Sequence, residues 1–127
     1  EDARRLLGRR AIIGLSIKTG KQANDAPLER IDYVCIGGVF ETNSKDNPDP
    51  PVGPDGLRAL AGLVRARRPD LPVGAIAGID ERNAATVIAA GADGVAVISA
   101  LSMAIEPKSA AARLRSIVDR ALEDRPR

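Results

Sequence analysis

The sequence predicts an α/β fold of four successive β/α units, and three observations predict it. Short runs rich in β-branched residues recur four times, a longer Ala/Leu/Arg segment of helical periodicity follows each, and Gly, Pro, Asn or Asp mark the joints. The four runs are nearly continuous in apolarity, which reads as parallel strands covered on both faces.

Residues 3–7 read as the end of a helix stopped by Gly8. The first strand is expected over 11–16, and a helix over 20–30 that Pro27 interrupts unless it begins near there. The second strand, 33–37, runs into the one long irregular connection, 37–53, rich in Gly, Pro, Asn and Asp. An outer helix over 55–68 places Leu57, Leu60, Ala61 and Val64 on one face. The third strand is 73–77, followed by a helix over 81–90 with Asp80 as N-cap and Gly91 at the C-cap position. The fourth strand is 94–99, then a short helix over 100–104 and a last helix over 109–122, whose buried stripe is Leu114, Ile117, Val118 and Ala121.

A chain that opens on a helix end reads as starting inside a larger periodic structure. A (β/α)₈ TIM barrel commonly uses about 250 residues, so four units in 127 are half of one. The expected fold is one domain, 1–127, forming strands 5–8 of such a barrel. An open doubly wound parallel sheet satisfies the same alternation.

Composition narrows the function. The chain is 44% hydrophobic, enough for an ordinary core, yet no apolar run approaches the roughly 20 residues that span a bilayer. The first five residues lack the apolar segment of a signal peptide, so a cytoplasmic protein with no membrane partner is expected. The net charge of +2, from 19 basic and 17 acidic residues, forms no stripe, and one Phe and one Tyr make no stacking platform; nucleic acid is not an expected partner. The absence of histidine removes His-based acid/base catalysis, His metal ligands and Ser-His triads. The single cysteine, Cys35, cannot form an internal disulfide and is expected to be buried and inert.

Three features can carry chemistry. The third and fourth strands end in Ala77-Gly78 and Ile98-Ser99, where a barrel would present backbone N–H groups and the start of a short helix to a phosphate. Gly78 would let the main chain approach phosphate oxygens, and Ser99 adds a hydroxyl; ordinary tight turns also use Gly and Ser there. In the long loop, Thr42-Asn43-Ser44-Lys45 groups two hydroxyls, an amide and an ammonium suited to a polyanion, although any solvated loop has such residues. Ser16 is a hydroxyl ending an apolar strand, with Lys18 just beyond, which a strand-end cap would also explain. Asp46 and Asp49 lack the glycine spacing of a calcium loop, and neither a P-loop nor a nucleophile elbow is present.

Taken in order, 13–16, 32–34 and 38–46, then Ala77-Gly78-Ile79 with Asn83-Ala84, and finally 90–100, resemble thiamine-phosphate synthases over nearly the whole chain. The Gly-Ala-Asp-Gly-Val run is shared by many phosphate-binding barrels; its combination with the Thr-Asn-Ser-Lys loop is more specific. The resemblance implies a TIM-barrel transferase of thiamine biosynthesis, joining hydroxymethylpyrimidine diphosphate to thiazole phosphate and releasing pyrophosphate, with Mg²⁺ on the diphosphate. It implies that Ser16 and Lys45 hold the pyrimidine diphosphate and stabilise its departure. It assigns Thr42, Asn43 and Ser44 to the thiazole phosphate, and Gly78, Ile98 and Ser99 to a main-chain phosphate cradle. Pyrophosphate is expected to leave early, so the site must stabilise leaving-group charge rather than supply a nucleophile.

Two departures stand out. Ala77-Gly78 replaces the family's usual glycine pair, and the pyrimidine-binding Gln-x-Arg segment and metal aspartates belong to four units that do not appear here. Asp2 lies too close to the following helix to serve as a metal ligand. The implied Mg²⁺ ligands are therefore expected in the missing half, and a partner, either an N-terminal half-barrel or a second copy, should cover exposed edges. The related thiazole tautomerase relies on a histidine that this chain lacks; a non-catalytic phosphate-binding half-barrel is the rival from another class.

Overall fold

The computed structural model describes residues 2–41 and 50–126. Strands β1 (Gly14–Ile17), β2 (Tyr33–Ile36), β3 (Val73–Ile76) and β4 (Gly94–Ala96) pair in chain order as one parallel sheet. Helix α1 (Asp2–Leu7) precedes them, α2 (Gly20–Asp25), α3 (Gly53–Arg67) and α4 (Ala84–Ala89) form the crossovers, and α5 (Ser99–Ser102) and α6 (Pro107–Glu123) follow. The described strands lack the reversal of order that a doubly wound sheet requires.

Register explains which sheet face is covered. Ile17, Val34, Ile36, Val73 and Ala75 point to the helices and are buried. There they meet Leu57, Leu60, Ala61 and Val64 of α3, the stripe that the periodicity predicts, each fully buried Leu or Val contributing about 1.5–3 kcal/mol. In α6 Leu114 and Val118 are buried, while Ile117 and Ala121 are only partly so. The opposite face carries Gly14, Ser16, Tyr33, Cys35, Gly74, Ile76, Gly94 and Ala96, all in matched register and none buried. Burial on both faces is thus corrected to burial on one among the described residues. Cys35 falls on the open face and is half-buried rather than buried, although the burial it has pushes its thiol pKa up.

Other departures from the sequence reading have local causes. β1 starts at Gly14, not residue 11, because the preceding backbone is taken by side chains: Ile13 N donates to Asp32 Oδ2 (2.8 Å) and Arg4 Nη1 to Ala11 O (2.8 Å). The helix expected over 20–30 breaks into α2 and a 3₁₀ turn, Leu28–Arg30, because Pro27 holds Ala26 in extended backbone. Asp80 does not cap α4. It accepts from the Arg82 N–H (2.9 Å) within the preceding turn, and α4 begins three residues later than expected. Gly91, with φ +128°, does follow the helix end in the left-handed region. β4 stops at Ala96, the partner of Ile76, since beyond Ile76 the neighbouring strand turns away through two positive-φ residues. Among the described residues no helix is long and apolar enough to cross a membrane.

Candidate functional site

Parallel strands end on one edge of their sheet, so whatever follows β1, β2, β3 and β4 gathers there. A cavity of about 300 Å³ occupies that edge. Ser16 and Lys18 line it from β1, Gly37 and Gly38 from the chain after β2, and Ala77 and Gly78 from the turn after β3. Ile98 and Ser99 complete it after β4. Four of the expected site residues, Ser16, Gly78, Ile98 and Ser99, are therefore brought together. Thr42, Asn43, Ser44 and Lys45, with Asp46 and Asp49, lie outside the described residues.

The turn after β3 is held by two sets of bonds. The chain leaving β2 runs beside it, with Val39 N donating to Ile76 O (2.9 Å) and Phe40 N to Ala77 O (3.1 Å). From the other side, Asn83 Nδ2 donates to Gly78 O (2.9 Å) while its Oδ1 accepts from Asp80 N (2.9 Å). Gly78 is required here for a reason beyond access to a ligand. Its φ is +70°, and a Cβ would lie 2.6 Å from Glu41 O and 2.7 Å from Phe40 Cβ. The missing side chain makes room for the start of the long loop. Ala77, where a glycine would be at ease, sits at φ +88° with its methyl at the cavity, a backbone conformation that costs an L-residue about 1 kcal/mol or more.

After β4 the backbone reaches Ser99 as the first residue of α5, not as the strand end. The intrahelical ladder starts with Leu101 N and Ser102 N, both donating to Ile98 O (3.2 and 2.9 Å), so the N–H groups of Ser99 and Ala100 precede the first helical bond. Ile98 is half-exposed, and Ser16 is exposed on the open face of β1.

Sequence reasoning noted Lys18 just beyond Ser16 without giving it a role, and did not assign Gln22, Gly37 or Gly38 to the site. The Gly37-Gly38 pair was legible as a close approach: a Cβ on Gly37 would lie 2.3 Å from Ile76 Cγ2, and one on Gly38 3.1 Å from Ala77 Cβ. The Thr19/Gln22 capping box of α2 fixes Lys18. Gln22 Oε1 accepts from Lys18 N (2.6 Å) and Thr19 N (3.2 Å), and Thr19 Oγ1 accepts from Gln22 N (3.1 Å).

Among the described lining residues Lys18 is the only charged one, and none of them is a carboxylate. The nearest strand-end acid in sequence, Asp80, is engaged by Arg82 (Nη2 to Oδ2, 2.8 Å), whose guanidinium holds its carboxyl below the usual carboxylate range. Hydroxyls, main-chain N–H groups and one cation suit an oxyanion. Among the described residues no group of three His, Cys, Asp or Glu side chains could hold a metal ion, so these residues do not fit Mg²⁺ by themselves.

Residues 1–101 match the family model for thiamine monophosphate synthase. A thiamine-phosphate synthase of Agrobacterium fabrum is 55% identical over 97% of this chain and 56% of its own length, and one from Moorella thermoacetica is 45% identical over 94% and 54%. The chain spans about half the length of these curated relatives. Among solved structures, a thiamine phosphate pyrophosphorylase from Pyrococcus furiosus superposes with a TM-score of 0.77 at 33% identity, over 95% of this chain and 55% of that one. The chain belongs to the thiamine monophosphate synthase family.

Proposed function

We propose that the chain supplies strands 5–8 of a TIM-barrel thiamine-phosphate synthase and acts as one domain of a cytoplasmic enzyme. The observation that carries this reading is the cavity at the ends of all four strands, lined by Ser16, Gly78, Ile98 and Ser99, in a chain of this family. The substrates are hydroxymethylpyrimidine diphosphate and thiazole phosphate. Main-chain N–H groups beside Gly78 and at Ser99 hold the thiazole phosphate, with Thr42, Asn43 and Ser44 closing over it. Ser16 and Lys45 hold the diphosphate and neutralise charge as pyrophosphate leaves, and the thiazole nitrogen then attacks the pyrimidine cation. Mg²⁺ would stabilise the same leaving group, held by aspartates of a preceding half-barrel. That half, or a second copy, covers the open face of Gly14, Ser16, Tyr33 and Cys35.

The test is reassembly. The chain is combined with the N-terminal half of the Agrobacterium fabrum relative, and thiamine phosphate and pyrophosphate are measured with Mg²⁺. Product should form, and Lys45→Ala should lower turnover about a hundredfold. A stable two-part complex that makes no product would favour a non-catalytic phosphate-binding protein instead.

A further inference from the structure

Among the described residues, Asn83 is the only side chain that bonds the main chain of the turn over Ala77, Gly78 and Ile79. Its Nδ2 donates to Gly78 O (2.9 Å) and its Oδ1 accepts from Asp80 N (2.9 Å), so one amide bridges the peptides on either side of Ile79. A carbonyl only accepts and a main-chain N–H only donates, so both ends of the amide are needed, in this orientation. A trans peptide points its N–H opposite its C=O, and the bond to Gly78 O therefore turns the Ile79 N–H away from Asn83. Ile79 lines the cavity and is 4% exposed, and no described residue accepts its N–H. A buried main-chain donor without an acceptor is rare, and one beside a cavity is a place for a ligand oxygen. The neighbouring side chains tie down other parts of the turn. Arg82 reaches Asp80 (2.8 Å) and Arg113 of α6 reaches Glu81 (2.8 Å), both as exposed pairs.

We infer that Asn83 is a positioning residue for the synthase reaction, holding the peptide between Gly78 and Ile79 so that its N–H meets the thiazole phosphate. Asn83 touches no substrate itself, and the inference rests on the reading that this phosphate lies beside Gly78. The turn needs such a tie. Gly78 is at φ +70° and Ala77 at φ +88°, so the local chain has both the freedom and the strain to turn this peptide another way. Asn83 is anchored for the task, since its N–H reaches Asp80 O (3.3 Å) and its own carbonyl accepts from Val87 N (3.1 Å) in α4. The orientation is thus set before substrate arrives, and binding does not have to order it.

The test is a steady-state assay of the two-part enzyme, this chain with the N-terminal half of the Agrobacterium fabrum relative, varying each substrate in turn. Asn83→Asp keeps the acceptor for Asp80 N and suits the start of α4, but a carboxylate cannot donate to Gly78 O. It should melt close to wild type yet raise KM for thiazole phosphate about tenfold, with kcat and KM for the pyrimidine diphosphate within about twofold. Asn83→Ala, which adds no charge, should raise the same KM as much while melting lower. Arg113→Gln, which cuts an exposed pair on the same turn, should raise neither KM. An Asn83→Asp enzyme with wild-type KM values overturns the inference and leaves the proposed function standing. So does one that fails to fold, or in which kcat and both KM values worsen together, since the amide would then be scaffold. A wild-type pair that makes no product sinks the proposed function and this inference with it.

Discussion

The two ends of the sheet use charge in opposite ways. Where the strands begin, acids and arginines are paired. Asp93 N donates to Val73 O (2.6 Å) while Asp93 Oδ2 accepts from Val73 N (2.9 Å) and from Arg65. Asp32 repeats that clasp at the starts of β2 and β1, its N–H donating to Ile13 O (2.7 Å) and its Oδ2 accepting from Ile13 N and Arg4. Where the strands end, the described residues lining the cavity are glycines, serines, apolar residues, Gln22 and Lys18, with no carboxylate among them. Paired charge at one end fixes strand entry. Polar groups and glycines gather at the other, the division between stability face and working face expected of parallel β/α proteins.

Substitutions can break or sharpen that contrast. The largest effect is expected at the working end, from Gly78→Ala, because the new Cβ meets backbone and the site is left-handed; it should cost about 3 kcal/mol in urea unfolding and abolish pyrophosphate binding. Its neighbour gives the opposite sign, Ala77→Gly raising stability by up to about 1 kcal/mol. Equal stability of all three chains would mean that the turn after β3 is not constrained as described. Next comes Asp93→Ala, which removes the acceptor of Val73 N, Arg65 and Arg125; a loss of about 2 kcal/mol is expected with unchanged anion affinity. Weakened anion binding at constant fold would show that the two ends are coupled.

The smallest effect concerns pH. The backbone N–H of Ile13, then Arg4, lower the Asp32 pKa from its ordinary 3.8. A depressed folded-state pKa stabilises the fold above the unfolded value, and that contribution is lost as pH falls through the folded one. The stability gap between wild type and Asp32→Asn should therefore be greatest near neutral pH and shrink below the ordinary carboxylate range. A gap that widens on acidification would contradict the assignment.

Much of this architecture is written locally. The α3 stripe is buried as its spacing requires, and Gly91 takes the left-handed turn that ends α4. Strand limits were less legible, because they depend on neighbours: residues 11–13 are apolar enough for a strand, but the Asp32 and Arg4 side chains claim their polar groups first. The open face escaped notice because small residues such as Gly74, Gly94 and Ala96 read as apolar without demanding burial. At the site, Gly78 and Ser99 were recognisable from where they stand relative to strands. Lys18 was noted just beyond Ser16, but only the gathering of the four strand ends puts it at the cavity.

The long connection is tied at its base: Val52 N donates to Gly38 O (2.9 Å) and Gly53 N to Val39 O (2.8 Å). Bonds at the neck hold β2 and α3 in place whatever is threaded between them, and doubling the length of a closed loop costs only about 0.6 kcal/mol. The exit of β2 and the entry of α3 are thus pinned to each other directly, so their spacing is set by these two bonds rather than by the length of chain that joins them.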